Sequence, residues 1–402
     1  MHLAIVSPRY GASIVGGAER LLRLFAEKLH AEGHRITVLT TCAVDHFTWA
    51  NALPPGPASI GGVEVRRFPV TIAPNPSRVA QLHHAIGTFD DDADVVPLND
   101  EQQEDLLRNT GFSQGLFDEV DRLGKTVDAF LFAPALLPTT VFGARIHPQR
   151  SLVMPCLHDE PYARFTAVQE TLRGAAGLLS LSTAEQELTR SLLGDGVRTR
   201  LVGAGVELAF APSAARFTDV PGDFIAYAGR YESGKNYPLL VEWVTAYNTA
   251  ITNDDGALRL ATMGSGGHRL PPSARPWVHD LGFVSESLKH DAMAAAVAVC
   301  NLSRWESFSF VVMEAWLSGT PVIVHADCAV TRGHCEESGG GVWVRSAEEF
   351  AEAVARLHGD PALRTALATA GQAYVRDRFS WDAVLRRFER AVSELVPGRV
   401  TA

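Results

Sequence analysis

The sequence predicts an α/β protein made of two doubly wound, parallel-sheet domains in tandem, and three observations carry that prediction. Its 402 residues exceed what one hydrophobic core ordinarily supports. Short apolar runs alternate with longer segments of helical periodicity, the pattern of parallel strands joined by crossover helices. A stretch without periodicity, Ala211 to Gly222, carries two prolines and separates one such series from a second.

The first series opens with a strand at Leu3 to Val6, a loop holding Gly11, Gly16 and Gly17, and a helix beginning near Ala18. In that helix Leu21, Leu22, Phe25 and Leu29 fall on one stripe. Gly33 suits the left-handed position that ends a helix, and Ile36 to Thr40 reads as the next strand. Further strands are expected at Val63 to Phe68, Ala129 to Phe132, Leu152 to Pro155, Leu178 to Leu181 and Arg200 to Val202. The region Gln81 to Lys125 differs from the rest and reads as acidic and loop-rich. The second series places strands at Phe224 to Tyr227, Leu258 to Met263, Val297 to Leu302 and Val322 to His325. After Pro361 only helices are expected, the last from Asp382 to about Leu395 with Val384, Leu385, Phe388 and Val392 on one face. The resulting division is 1–210 and 211–378, two Rossmann-like domains, with 379–402 a terminal helix crossing back to the first. In such sheets ligands gather at the carboxyl ends of the strands.

Composition narrows the function. A net charge of −10, from 36 basic and 46 acidic side chains, argues against general affinity for nucleic acid. Five scattered cysteines, an odd number, fit a reducing cytoplasm. The N-terminus runs straight into a strand with no signal-peptide pattern, and no apolar run reaches the roughly 18 residues that cross a bilayer.

Two segments carry the chemistry. In WESFSFVVMEAWLSGTPVIV, Trp305 to Val324, Glu306 falls in a strand-to-helix turn, Phe308 to Phe310 is expected to form the helix's first turn, and Glu314 follows inside the helix. Free amides at such a helix mouth suit a diphosphate, and the carboxylates suit the hydroxyls of a sugar and a ribose. The plainer alternative is a surface helix whose Glu306 favours the helix dipole. In GRYESGKNYPLL, Gly229 to Leu240, Arg230 follows a strand and Lys235 is expected to open the next helix, two cations suited to the phosphates of a nucleotide sugar without a metal. They also read as solubilising charges on a turn. The Gly16-Gly17 turn before Glu19 lets backbone approach a ligand, although neither a dinucleotide fingerprint nor a P-loop is present.

In combination these segments resemble the GT-B glycosyltransferases, specifically the large retaining family 4, also called glycosyl transferases group 1. The resemblance covers nearly the whole chain: GGAE at Gly16 to Glu19, His158-Asp159, GR-x4-KN at Gly229 to Asn236, LGFV at Leu281 to Val284, and the paired glutamates. It implies two domains facing each other across a cleft. Arg230 and Lys235 would hold the donor's diphosphate, Glu314 its ribose and Glu306 the transferred sugar. Backbone at Phe308, Ser309 and Phe310, together with Gly264, would touch the donor, and the Val284 loop would meet its base. Gly16, Gly17 and His158 would come from the acceptor-side domain, with His158 beside the reacting centre. The family more often has glycine where Ser307 and Ser309 stand, which bears on the donor's identity. NTGFSQGL at Asn109 to Leu116, LLPTTVFGA at Leu136 to Ala144 and LHDEPYA at Leu157 to Ala163 resemble a subgroup acting on bacterial glycans or glycolipids.

The implied activity is retaining transfer of a hexose or deoxyhexose from a UDP-, GDP- or dTDP-linked donor to a hydroxyl of a glycan, glycolipid or small molecule. No cofactor and no metal are expected, and the enzyme would be cytoplasmic. A nucleotide-sugar epimerase and a non-catalytic sugar-nucleotide-binding subunit are the alternatives. Three other signals carry less. Asp90 to Asp94 contains overlapping Asp-x-Asp patterns and is read as a solvated acidic loop. His325, Cys328, His334 and Cys335 match no standard zinc spacing. Arg20, Arg23 and Lys28 offer peripheral contact with anionic lipid, diluted by Glu19, Glu27 and Glu32.

Overall fold

The structure, a computed structural model, describes residues 1–14, 16–72, 74–87, 96–209, 211–251 and 256–396. Asp90 to Asp94 lies outside them. The chain divides into two compact units, Met1–Gly205 together with the segment from Trp381, and Val206–Ser380.

The first unit is built on β1 (His2–Ser7), β2 (Arg35–Thr41), β3 (Gly56–Ile60), β4 (Val63–Phe68), β5 (Ala129–Phe132), β6 (Ser151–Val153), β7 (Gly177–Ser180) and β8 (Thr199–Leu201). Their order is β3-β4-β2-β1-β5-β6-β7-β8, parallel throughout except that β3 runs antiparallel to β4. Helices cover the central strands, so β5 and β7 are buried at every position, and β5 reads as an unbroken apolar run. The helix Gly17–Ala31 turns Leu21, Leu22, Phe25 and Leu29 inward as its periodicity requires.

The second unit carries β9 (Phe224–Ala228), β10 (Arg259–Met263), β11 (Val278–Asp280), β12 (Val299–Asn301), β13 (Val322–His325) and β14 (Gly341–Val344). All are parallel, in the order β11-β10-β9-β12-β13-β14. The winding reverses between β9 and β12, which makes the carboxyl ends of that pair the topological switch point.

Two expectations are corrected. Gln81 to Lys125 is not loop-rich where it is described: helices span Pro76–Gly87, Asp100–Arg108 and Gln114–Leu123. Asn99 caps the second of these with a full capping box, and Leu116, Phe117, Val120 and Leu123 bury one face of the third. Polar composition masked an amphipathic pattern. The strands β3, β11 and β14 also went unforeseen. β3 and β11 are sheet edges rich in polar or turn-forming residues, with Pro57 in the one and His279 and Asp280 exposed in the other. β14, at the far edge of its sheet, begins with a glycine and leaves Trp343 exposed.

The last helix, Trp381–Leu395, packs within the first unit, its Phe388 ring 5.4 Å from Phe25 and its Leu395 carbonyl accepting from Arg198 at 3.1 Å. No helix among the described residues is long and apolar enough to cross a membrane.

Candidate active site

The loops that leave β9 and β12 meet at the switch point of the second unit. Lys235 ends a short 3-10 turn, Ser233–Lys235, instead of opening the helix, which begins at Tyr237. Its Nζ donates to Oε1 of Glu306 at 2.8 Å, across 71 positions of sequence. A backbone bond from Arg304 to the Gly234 carbonyl, 3.3 Å, ties the same two loops. Both side chains are largely buried, 25% and 14% exposed, so their attraction is screened less than that of a surface pair. Arg230 follows β9 as expected, but its guanidinium lies 60% exposed against Glu232 at 2.9 Å and does not join the Lys235–Glu306 pair.

The helix beyond Glu306 starts two residues later than expected, at Phe310, and Phe308 and Ser309 precede it. Ser309 stands in the left-handed region, φ 67°, where a side chain crowds the backbone. Its hydroxyl does not cap the helix; it accepts from Asn301 Nδ2 at 2.8 Å. Glu314, on the inward face of that helix, is 3% exposed and bonded by Lys289 at 2.9 Å, while Lys289 also reaches Glu286 at 2.8 Å. Glu286, His290 and Glu314 bring three potential metal ligands together, but an ammonium already bridges the two carboxylates, and the group is not assigned to a metal.

Gly264, at the end of β10, is required by its neighbour: a Cβ there would stand 1.9 Å from the Gly229 carbonyl oxygen. Its N–H donates to the Gly282 carbonyl at 2.8 Å, which draws the LGFV loop beside the β9 loop. Val284 is half-buried there, and the preceding Phe283 is 79% exposed, a solvent-facing ring the sequence reading passed over.

In the first unit, Gly16 and Gly17 follow β1, next to the β1/β5 switch point. A Cβ at Gly16 would meet Glu19 Oε2 at 2.2 Å, whereas nothing lies within 4 Å of one at Gly17, so open space faces that backbone. Glu19 is buried in an ion pair with Arg9, which stiffens the turn from beneath. His158 lies in the loop after β6, Nδ1 3.2 Å from Glu160 Oε1, and Asp159 pairs with Arg164 at 2.7 Å. Behind this loop sits Glu185, 1% exposed, accepting from the Leu157 N–H at 2.8 Å and the Leu181 N–H at 2.6 Å. Burial pushes its carboxyl up to about 7 against the pull of those N–H groups and of His158. Only a capping pattern, Ser182-x-x-Glu185, marked it in the sequence.

The soft-ligand set does not gather as a metal site. His334 Nδ1 is bonded to the Tyr374 hydroxyl at 2.9 Å, and burial raises the thiols of Cys328 and Cys335. All five cysteines are buried and none is in a disulfide.

Residues 222–360, which contain β9 to β14 and every donor-side residue named above, match the family Glycosyl transferases group 1. Over this segment the chain is similar to the group 1 glycosyl transferases. D-inositol 3-phosphate glycosyltransferase of Frankia alni is 30% identical over 261 residues, 58% of this chain; the chain spans 63% of that protein's length. Sucrose-phosphate synthase from Thermosynechococcus elongatus superposes with a TM-score of 0.69 over 98% of both chains at 18% identity. HepE of Anabaena, solved in complex with UDP and glucose, gives 0.66 over 98% of this chain and all of its own at 16% identity. At these identities the likeness is one of fold, and the fold is GT-B.

Proposed function

We propose that the chain is a glycosyltransferase that moves a hexose or deoxyhexose from a nucleoside-diphosphate sugar to an acceptor hydroxyl, with retention at the anomeric carbon and without a metal ion. One observation carries the reading: Lys235 and Glu306, remote in sequence, form a mostly buried ion pair at the switch point of the second unit. A diphosphate entering there competes with Glu306 for the Lys235 ammonium. The displaced carboxylate is then available to accept from sugar hydroxyls, while Glu314, one oxygen fixed by Lys289, accepts from the ribose. Arg230, exposed beside this pair, swings from Glu232 onto the phosphates. Phe308, Ser309 and Phe310 supply backbone, Gly264 leaves room, and the Phe283–Val284 loop meets the base.

In the transfer the bond from anomeric carbon to phosphate oxygen breaks and one to the acceptor oxygen forms on the same face. The acceptor's proton passes to the departing phosphate, whose charge Lys235 stabilises. The first unit, through Gly17 and His158, is assigned to the acceptor. The UDP and glucose bound by HepE make a UDP-sugar the first donor to try, and the Frankia relative's name supports a hydroxylated small-molecule acceptor.

The test is turnover. Lys235→Ala and Arg230→Ala should each lower kcat by roughly 10²-fold, the scale for removing a preorganised charge from a transition state. Normal turnover in both variants would remove the diphosphate assignment.

A further inference from the structure

The loop that carries Glu306 is held at its beginning, middle and end by one buried side chain. Asn301, the last residue of β12, is 6% exposed. Its Oδ1 accepts from the Ser303 N–H at 3.0 Å, and its Nδ2 donates to Ser309 Oγ at 2.8 Å and reaches Glu306 Oε1 at 3.5 Å. The bond to Ser309 is the unusual one, since Ser309 is itself buried and sits at φ 67°, ψ 80°, a conformation that L side chains adopt at a cost. Serine at the position before a helix ordinarily turns its oxygen to the helix's own amides. Here the hydroxyl is turned away to Asn301, so the capping bond is absent and the strain is offset from outside the helix.

We infer that Asn301 and Ser309 form a clasp that positions Glu306 for the donor's sugar, Asn301 acting as a positioning residue through Glu306. The inference rests on the donor-site reading above and adds a residue pair to it. Without the clasp, Ser309 has every reason to leave the left-handed region, and the 302–309 segment loses the anchor shared by its two ends. Glu306 would keep its ion pair with Lys235 but lose its contact with Asn301. The clasp therefore governs recognition of the sugar more than of the nucleotide, whose phosphates and ribose are assigned to Arg230, Lys235 and Glu314.

The pair makes an unusual prediction about glycine. Ser309→Ala removes the bond and keeps the strain, whereas Ser309→Gly removes both, because glycine occupies positive φ without penalty. Calorimetric titration with a UDP-sugar and with UDP alone separates the sugar's share of affinity from the nucleotide's. In Ser309→Ala and in Asn301→Val that share should fall about tenfold, the worth of one buried hydrogen bond. Ser309→Gly should lose several-fold less than Ser309→Ala, and Asn301→Val/Ser309→Gly should lose less than the two single losses multiplied together. Amide hydrogen exchange, which needs no ligand, should show the Ser303 N–H losing protection in Asn301→Val. Equal behaviour of Ser309→Ala and Ser309→Gly, or a double variant equal to the product of the singles, would overturn the clasp while leaving the donor site standing. A wild-type protein that binds neither UDP, GDP, dTDP nor their sugars defeats the donor reading and the clasp's role in it, and unchanged Ser303 exchange in Asn301→Val then also removes the clasp as a feature of the loop.

Discussion

Glu185 shows how a single side chain links burial, charge and the His158 loop. Its carboxyl, raised to about 7 by burial, retains in the folded protein a proton that the unfolded chain releases near 4.5. The contribution to stability is thus complete below pH 4.5 and is lost as pH rises toward 7, a change of about 3 kcal/mol. Urea denaturation across this window should show Glu185→Gln with a flatter dependence of stability on pH than wild type; identical slopes would mean the carboxyl is ionised throughout. Residues of this kind were not legible in the sequence. Lys235, Glu306 and Glu314 were, because charged residues beside strand ends and glycines stand out locally. Glu185, Lys289 and Asn301 act on groups brought to them only by folding: Glu185 serves Leu157 from 28 positions away, and Lys289 serves Glu314 from the preceding helix. Lys289 has no local pattern that announces it and Glu185 only its place in a capping pattern, while Arg230 stands where its spacing puts it, with its side chain turned to Glu232.

At the scale of elements, central strands and amphipathic helices were readable and edges were not. A strand buried on both faces reads as a nearly continuous apolar run, as β5 does, whereas an edge strand is selected to avoid pairing with strangers and so looks like a loop. The loops beyond β9, β10 and β11 interlock through their backbones, the Gly229 N–H donating to the Met263 carbonyl and the Gly264 N–H to the Gly282 carbonyl. Gly264→Ala places a methyl group where only 1.9 Å separates it from the Gly229 oxygen, so the two loops must part. Urea denaturation should show a loss of roughly 2–4 kcal/mol, among the larger effects of a single methyl, and a loss below the usual surface range would show that the loops yield freely.

At the scale of the whole molecule, the chain leaves the first unit after Gly205 and returns to it at Trp381. The two crossings are bonded to each other, Val206 N–H to the Phe379 carbonyl at 2.8 Å, and Gly205 leaves no room for a side chain beneath the Trp381 ring. The terminal helix therefore belongs to the first unit's core as much as β1 does, with Phe388 fully buried against Phe25. Phe388→Ala should cost about 3–5 kcal/mol in thermal or chemical unfolding, the usual range for a buried ring, and a near-neutral result would mean the helix docks only loosely. The proposed activity of the whole molecule turns on the Lys235–Glu306 pair receiving the diphosphate of a nucleotide sugar. Thermal unfolding of wild type and Lys235→Ala, each with UDP-, GDP- and dTDP-sugars, tests this most directly. One donor class should stabilise wild type by about 2.7 kcal/mol at a hundred times its Kd and stabilise Lys235→Ala far less at the same concentration. Equal stabilisation of both proteins, or none of wild type by any donor, would contradict it.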